Sequence, residues 1–196
     1  MNSALILSVG LWANALIALY AGWVAPDSVS FWQIMTRLSG RVSLGVFAIL
    51  MYYETFLLTR RNVPAFLQKS QLWHWSAGLA IHHYWHLCCI AIYVRSSGIE
   101  LVPIRLAGGA FAYLLVGVAP FLHAKEIEKV WKRPIRFLYL YWVWFVIFMT
   151  YVARLTGQFP QAGGTFIEYV VLMSCSVLLL LGHFYLLLTR KKAAGK

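Results

Sequence analysis

The sequence predicts an all-α polytopic membrane protein: one domain over residues 1–196, built as a bundle of six transmembrane helices. Two features of composition and one of charge placement support this. Of the 196 residues, 61% are hydrophobic and 12% are charged, whereas a soluble domain runs at roughly 45–50% apolar and 25% charged. The mean hydropathy is +0.70, and the apolar residues gather into six stretches of the length a helix needs to cross hydrocarbon. Lys and Arg collect on alternate connections between those stretches. A soluble globular domain and a disordered chain are thereby excluded, and three cysteines are too few for a disulfide-built secreted scaffold.

The first stretch, 3–24, follows Met1-Asn2-Ser3 with no Lys or Arg before it and no small-residue cleavage site leading to a soluble domain. It is therefore expected to be a mature helix rather than a cleaved signal. Ala25-Pro26-Asp27 makes a turn, and the second span, 42–59, follows Arg37 and Arg41. The third and fourth spans are 73–94 and 106–123. Next comes HAKEIEKVWKRPIRF, starting at His123, whose mixed charges predict a short interfacial helix stopped by Pro134. The fifth span is 137–153, and a Gly/Pro-bearing turn over 159–164 leads to the sixth, 166–188.

Arg60, Arg61, Lys69, Lys125, Lys129, Lys132, Arg133, Arg136, Arg190, Lys191, Lys192 and Lys196 fall on one side, against Arg37, Arg41, Arg95, Arg105 and Arg154 on the other. The positive-inside rule then places both termini in the cytoplasm of a bacterial-type inner (plasma) membrane. The net charge of +11 is accounted for by topology and anionic lipid, so no nucleic-acid partner is expected. Cys88, Cys89 and Cys175 lie within spans, where thiols pack as small apolar groups, and no structural disulfide is expected.

Ionisable groups inside spans carry the functional information. The third span, LWHWSAGLAIHHYWHLCCIAIYV, holds His74 near its cytoplasmic end and His82, His83 and His86 deeper. His82 and His83 stand four and three residues before His86, so both neighbour it on a helical face. Glu54, His123 and His183 lie toward the cytoplasmic side, and depth alone pairs Glu54 with His183. Haem ligation, a non-haem metal centre and a proton relay all use intramembrane histidines. Glu54 alone is too few carboxylates for a di-metal site, and the outer half lacks a titratable chain for a relay. The bland alternative is interhelical hydrogen bonding.

These residues resemble the ferric reductase-like transmembrane domain family, most closely its YedZ/MsrQ-type haem-b membrane subunits. The resemblance covers about residues 37–153. It rests on Arg37-Leu-Ser-Gly-Arg41, on Arg60-Arg61 closing the second span, on Gly78 and His86-Leu87 in the third, and on WKRPIRFLYL from Trp131 to Leu140. It implies six helices with both termini inside, and transmembrane electron transfer through b-type haem held by histidines of the third and fifth helices. His86 matches the third-helix ligand. The fifth-helix positions fall at Ile135 and near Phe148, so the fifth span carries no histidine, and Met149 is the nearby thioether.

The expected function is thus a membrane-embedded b-haem electron-transfer subunit, at most one subunit of an oxidoreductase. It would work beside another membrane, periplasmic or cytoplasmic redox subunit. The candidate ligands are His86, His83, His82 and His183, with His86 or His83 opposite His183 and a second pairing of His74 with His123. Arg37 and Arg41 are candidates for a propionate or an anionic headgroup. The alternative is a haem-free or pigment-associated scaffold or accessory subunit of a larger complex, the pigment being a chlorin held by one histidine.

Overall fold

The computed structural model describes residues 3–59, 72–100, 103–123, 129–158 and 163–193, with side chains placed for 8–56, 72–100, 106–122, 134–158 and 163–189. Six helices follow in order: α1 (Ser3–Val24), α2 (Ser28–Thr59), α3 (Leu72–Ser97), α4 (Pro103–His123), α5 (Lys129–Leu155) and α6 (Phe166–Ala193). No strand occurs among the described residues. Four helices are long and apolar enough to cross a membrane, over Ser28–Phe56, Leu72–Ser97, Pro134–Leu155 and Phe166–Thr189. In α1 and α4 the apolar stretches Ser8–Val24 and Leu106–Leu122 are shorter.

Two helices run differently from the sequence expectation. Helix α2 starts at Ser28, not at 42, because Arg37 and Arg41 interrupt an apolar run without interrupting helical hydrogen bonding. Its start is set by Asp27, whose carboxylate accepts from the Ser30 backbone N–H at 2.7 Å and from the Ser30 hydroxyl at 3.0 Å. Those bonds, the backbone one first, hold the Asp27 carboxyl below its ordinary pKa. Pro134 does not stop an interfacial helix; it lies inside α5. So close to a helix start, proline removes a single backbone bond, and its fixed φ suits the helix. Residues 124–128 of the expected interfacial helix fall outside the described residues.

Helix α6 opens with a capping box: Thr165 N–H donates to Glu168 Oε2 at 2.9 Å and Glu168 N–H to Thr165 Oγ1 at 3.2 Å. Gly163 and Gly164 precede it at φ 64° and 94°, left-handed values that glycine adopts without strain. A Cβ at Gly164 would stand 2.8 Å from the Tyr169 hydroxyl, so that close approach also requires glycine.

Side-chain pairs fix the directions of the helices. Gln33 meets Tyr93, and Ser39 meets His86, while Val46 lines a small cavity of about 10 Å³ with Trp75 and Gly78; α2 and α3 are antiparallel. Arg41 meets Glu168 and Thr55 meets His183, so α2 and α6 are parallel. Helices α2, α3, α4, α5 and α6 contact one another in a closed sequence, and α1 packs on α2 and α3.

Phe47, Leu50, Met51 and Tyr53 of α2 meet Trp75 and Leu79 of α3, Leu115 and Val116 of α4, Tyr139, Leu140 and Val143 of α5, and Leu179 of α6 in the main core. This core fills the half of the bundle toward Thr59. Indole N–H groups tie its rim: Trp142 donates to the Gly108 carbonyl at 3.1 Å and Trp144 to the Ser176 carbonyl at 2.8 Å. Toward the Ser28 end, Leu44, Tyr151 and Tyr169 form a smaller cluster between α2, α5 and α6.

Helix α1 approaches α3 most closely at Gly10, where an added Cβ would meet the His82 Cβ at 3.2 Å. That neighbour is fixed to backbone and cannot swing aside. Gly10→Leu is therefore expected to lever α1 off α3 at a cost of about 1–3 kcal/mol, read as a lowered midpoint of thermal unfolding in detergent; Gly22→Leu, at a glycine with open space around it, should leave the midpoint unchanged.

Candidate functional site

The buried polar side chains lie at two levels of α2. At the first, Ser39 joins α2 to α3. Its hydroxyl donates to the Met35 carbonyl one turn back at 2.6 Å, so the oxygen accepts from His86 Nδ1–H at 2.9 Å. The Ser39 carbonyl accepts from His82 Nε2–H at 3.0 Å. His83 turns away from α2 and stacks on Tyr113 of α4, with ring centroids 4.4 Å apart, and its centroid is 5.7 Å from that of His86. The structure thus keeps the three candidate histidines of HHYWH at one level but sends two of them to Ser39 and the third to Tyr113.

The second level is sixteen residues further along α2, about 24 Å at helical rise. Thr55 repeats the Ser39 arrangement. Its hydroxyl donates to the Met51 carbonyl at 2.7 Å, and the oxygen accepts from His183 Nδ1–H of α6 at 2.5 Å. His183 Nε2 in turn accepts from the Tyr141 hydroxyl of α5 at 3.0 Å. Beside it, Glu54 is 2% exposed and accepts a two-pronged ion pair from Arg136 of α5, from Nε at 3.2 Å and from an Nη. The depth-based pairing of Glu54 with His183 is therefore corrected. Neighbouring positions on a helix point about 100° apart, so Glu54 faces Arg136 on α5 while Thr55 takes His183 on α6.

A bis-histidine haem needs two imidazole nitrogens facing one another across iron at one depth. His86 and His183 do not meet that need. They sit at levels of α2 about 24 Å apart, and both nitrogens of His183 are hydrogen-bonded within the protein. Helix α5 contributes no histidine. The proposed pairing of His86 or His83 with His183 across one haem is thus not brought together. The second pairing cannot be assembled from what is described, since the His123 side chain lies outside the described residues. Among the described residues, no three His, Cys, Asp or Glu side chains form a group able to hold a metal ion.

His86 retains one chemical option. With Nδ1–H donated to Ser39, its Nε2 carries the lone pair, and it makes no hydrogen bond among the described residues. A Cβ at Gly40 would stand 3.4 Å from this nitrogen, so the imidazole lies directly against the α2 backbone.

Sequence reasoning missed Ser39, Thr55, Tyr141 and Arg136 as partners. Ser39 stands in RLSGR, before the expected span 42–59, so its place gives no such signal, whereas Thr55 is a hydroxyl within that apolar span, which is the signal for an interhelical bond. Arg136 was masked by its second role as one of the topology-setting cations. The three cysteines are free: Cys89 is buried, and Cys88 and Cys175 are exposed.

No family model, curated protein or solved structure matches the chain.

Arg136→Gln would leave Glu54 buried without its cation. The expected loss is about 3–5 kcal/mol, measured as a lower unfolding midpoint in detergent. Glu54→Gln added to Arg136→Gln is expected to recover much of it, because the amide pair buries no net charge.

Proposed function

We propose that the chain is an accessory subunit of a larger membrane complex, a six-span scaffold with both termini in the cytoplasm of a bacterial plasma membrane and no bis-histidine haem. The observation that supports this is the use of the intramembrane histidines: His82, His86 and His183 each hold one helix to another through a hydroxyl or carbonyl of α2. In apolar surroundings such bonds give helix packing its specificity. The aromatic and aliphatic face of α1, where Leu11, Trp12, Leu16, Leu19 and Trp23 are exposed, offers contact area to lipid or to neighbouring helices.

A second reading is favoured by the Ser39–His86 bond. A fixed tautomer with a free Nε2 is how an axial imidazole is oriented, and one axial bond from His86 would keep the chain among b-haem electron-transfer subunits or pigment carriers. A reduced-minus-oxidised visible spectrum of the purified protein, as isolated and after incubation with hemin, separates the two. The scaffold predicts a spectrum without a haem α-band. A sharp α-band that disappears in His86→Ala would overturn it in favour of electron transfer.

The topology has its own check. Reporters that work in the cytoplasm should be active when fused at either terminus, and periplasmic reporters should be silent at both; opposite results at the two ends would exclude an even number of spans.

A further inference from the structure

At the Ser28 end of the bundle, Arg37 and Arg41 of α2 stand near Glu168 of α6, and Arg154 of α5 lies over the ring of Tyr169, the residue after Glu168. Arg41 Nη2 lies 3.0 Å from Glu168 Oε2, and Arg37 is within electrostatic reach of the same group. The Arg154 guanidinium lies over the rings of Tyr169 and Tyr151, 5.4 Å and 5.9 Å from their centroids. Tyr151 is within electrostatic reach of both Arg154 and Arg41, so α5 and α2 each bring a cation to this ring, and Arg37 lies one helical turn before Arg41.

Charge and hydrogen bonding are both left unbalanced there. Among the described residues Glu168 is the only carboxylate paired with one of these arginines, and it already serves Arg41 and the Thr165 backbone N–H. Two positive charges remain without a counterion among the described residues. Arg37 Nε and Arg41 Nε are buried with no hydrogen-bond partner, and so is the hydroxyl of Tyr169, a residue only 7% exposed. Buried donors without acceptors are costly and uncommon in folded proteins. All three can donate, and what they lack is an acceptor rich in oxygen and negative charge.

We propose that this group of arginines, with Tyr169, binds a phosphate-bearing anion. Guanidinium groups match phosphate with paired N–H donors, and basic pockets between transmembrane helices are suited to anionic headgroups. Tyr169 would add a neutral donor from the floor of the site. Glu168 would hold Arg41 in place while competing with the ligand for it. The shared chemistry is the phosphate, which could be supplied by a lipid headgroup or by a free ion.

The test uses the full-length protein with thermal unfolding and native mass spectrometry as readouts. One arm adds inorganic phosphate against chloride at equal ionic strength. The other compares nanodiscs of phosphatidylcholine with nanodiscs of phosphatidylcholine and phosphatidylglycerol. Stabilisation by phosphate identifies a free ion as sufficient, and stabilisation confined to phosphatidylglycerol identifies a lipid headgroup; either supports the site. Arg37→Gln and Arg154→Gln are expected to weaken binding roughly tenfold each, the scale of one charge-assisted bond. Glu168→Gln should tighten it by removing the competing carboxylate. Arg37→Lys, which keeps the charge and loses the paired donors, should fall between wild type and Arg37→Gln, and it provides a folded comparison if the glutamine variants are unstable. Wild-type protein indifferent to both anions, or variants binding as tightly as wild type, would overturn the proposal.

Discussion

A polar group inside an apolar bundle is costly unless another group receives it, and in this protein α2 supplies receivers for three neighbouring helices. Ser39 and Thr55 are each back-bonded to the carbonyl one turn earlier, which uses their own protons and leaves the oxygens as acceptors. Each oxygen then takes an imidazole N–H from another helix, His86 from α3 and His183 from α6. Because Glu54 also draws Arg136 of α5 to α2, three neighbouring helices are keyed to one element at defined heights. The apolar core between those levels can be filled by Phe47, Leu50 and Met51 without having to specify register by itself.

How far the sequence could be read depended on which coordinate was asked for. Helix number and approximate height were legible, because apolar length and charge placement report directly on both. Azimuth was not. His82, His83 and His86 were recognised as neighbours on one helix, but which way each points depends on where α2 and α4 stand. The structure sends two to Ser39 and one to Tyr113. Likewise Glu54 and His183 were placed at a common depth, and it is Thr55, one residue on, that meets His183. Arg154 was legible only as a charge limiting the fifth span, since its approach to Tyr169 requires the α5–α6 hairpin to close.

The recurrence of the hydroxyl–imidazole clasp also explains why an intramembrane histidine is an ambiguous signal. The same Nδ1–H bond that orients a metal-bound imidazole will hold two helices together with no metal present. For His183 the second nitrogen is taken by Tyr141, and the chain of contacts runs Tyr141, His183, Thr55, Met51. For His86 the bonds stop at Nε2, beside Gly40.

The length of α2 sets where this chemistry lies. Its 32 residues extend about 48 Å, against a hydrocarbon layer of about 30 Å. Tilt alone would have to reach roughly 50°, beyond the range of about 0–40° seen for membrane helices. The helix must therefore project. From Arg41 to Thr59 it covers about 27 Å, close to the hydrocarbon thickness, so the apolar run marks a membrane boundary rather than a helix end. Ser39, with the two histidines bonded to it, belongs to the end of α2 that starts at Ser28, and Thr55 with His183 to the opposite end, so the two buried polar levels are separated by the packed core that Phe47, Leu50 and Met51 fill.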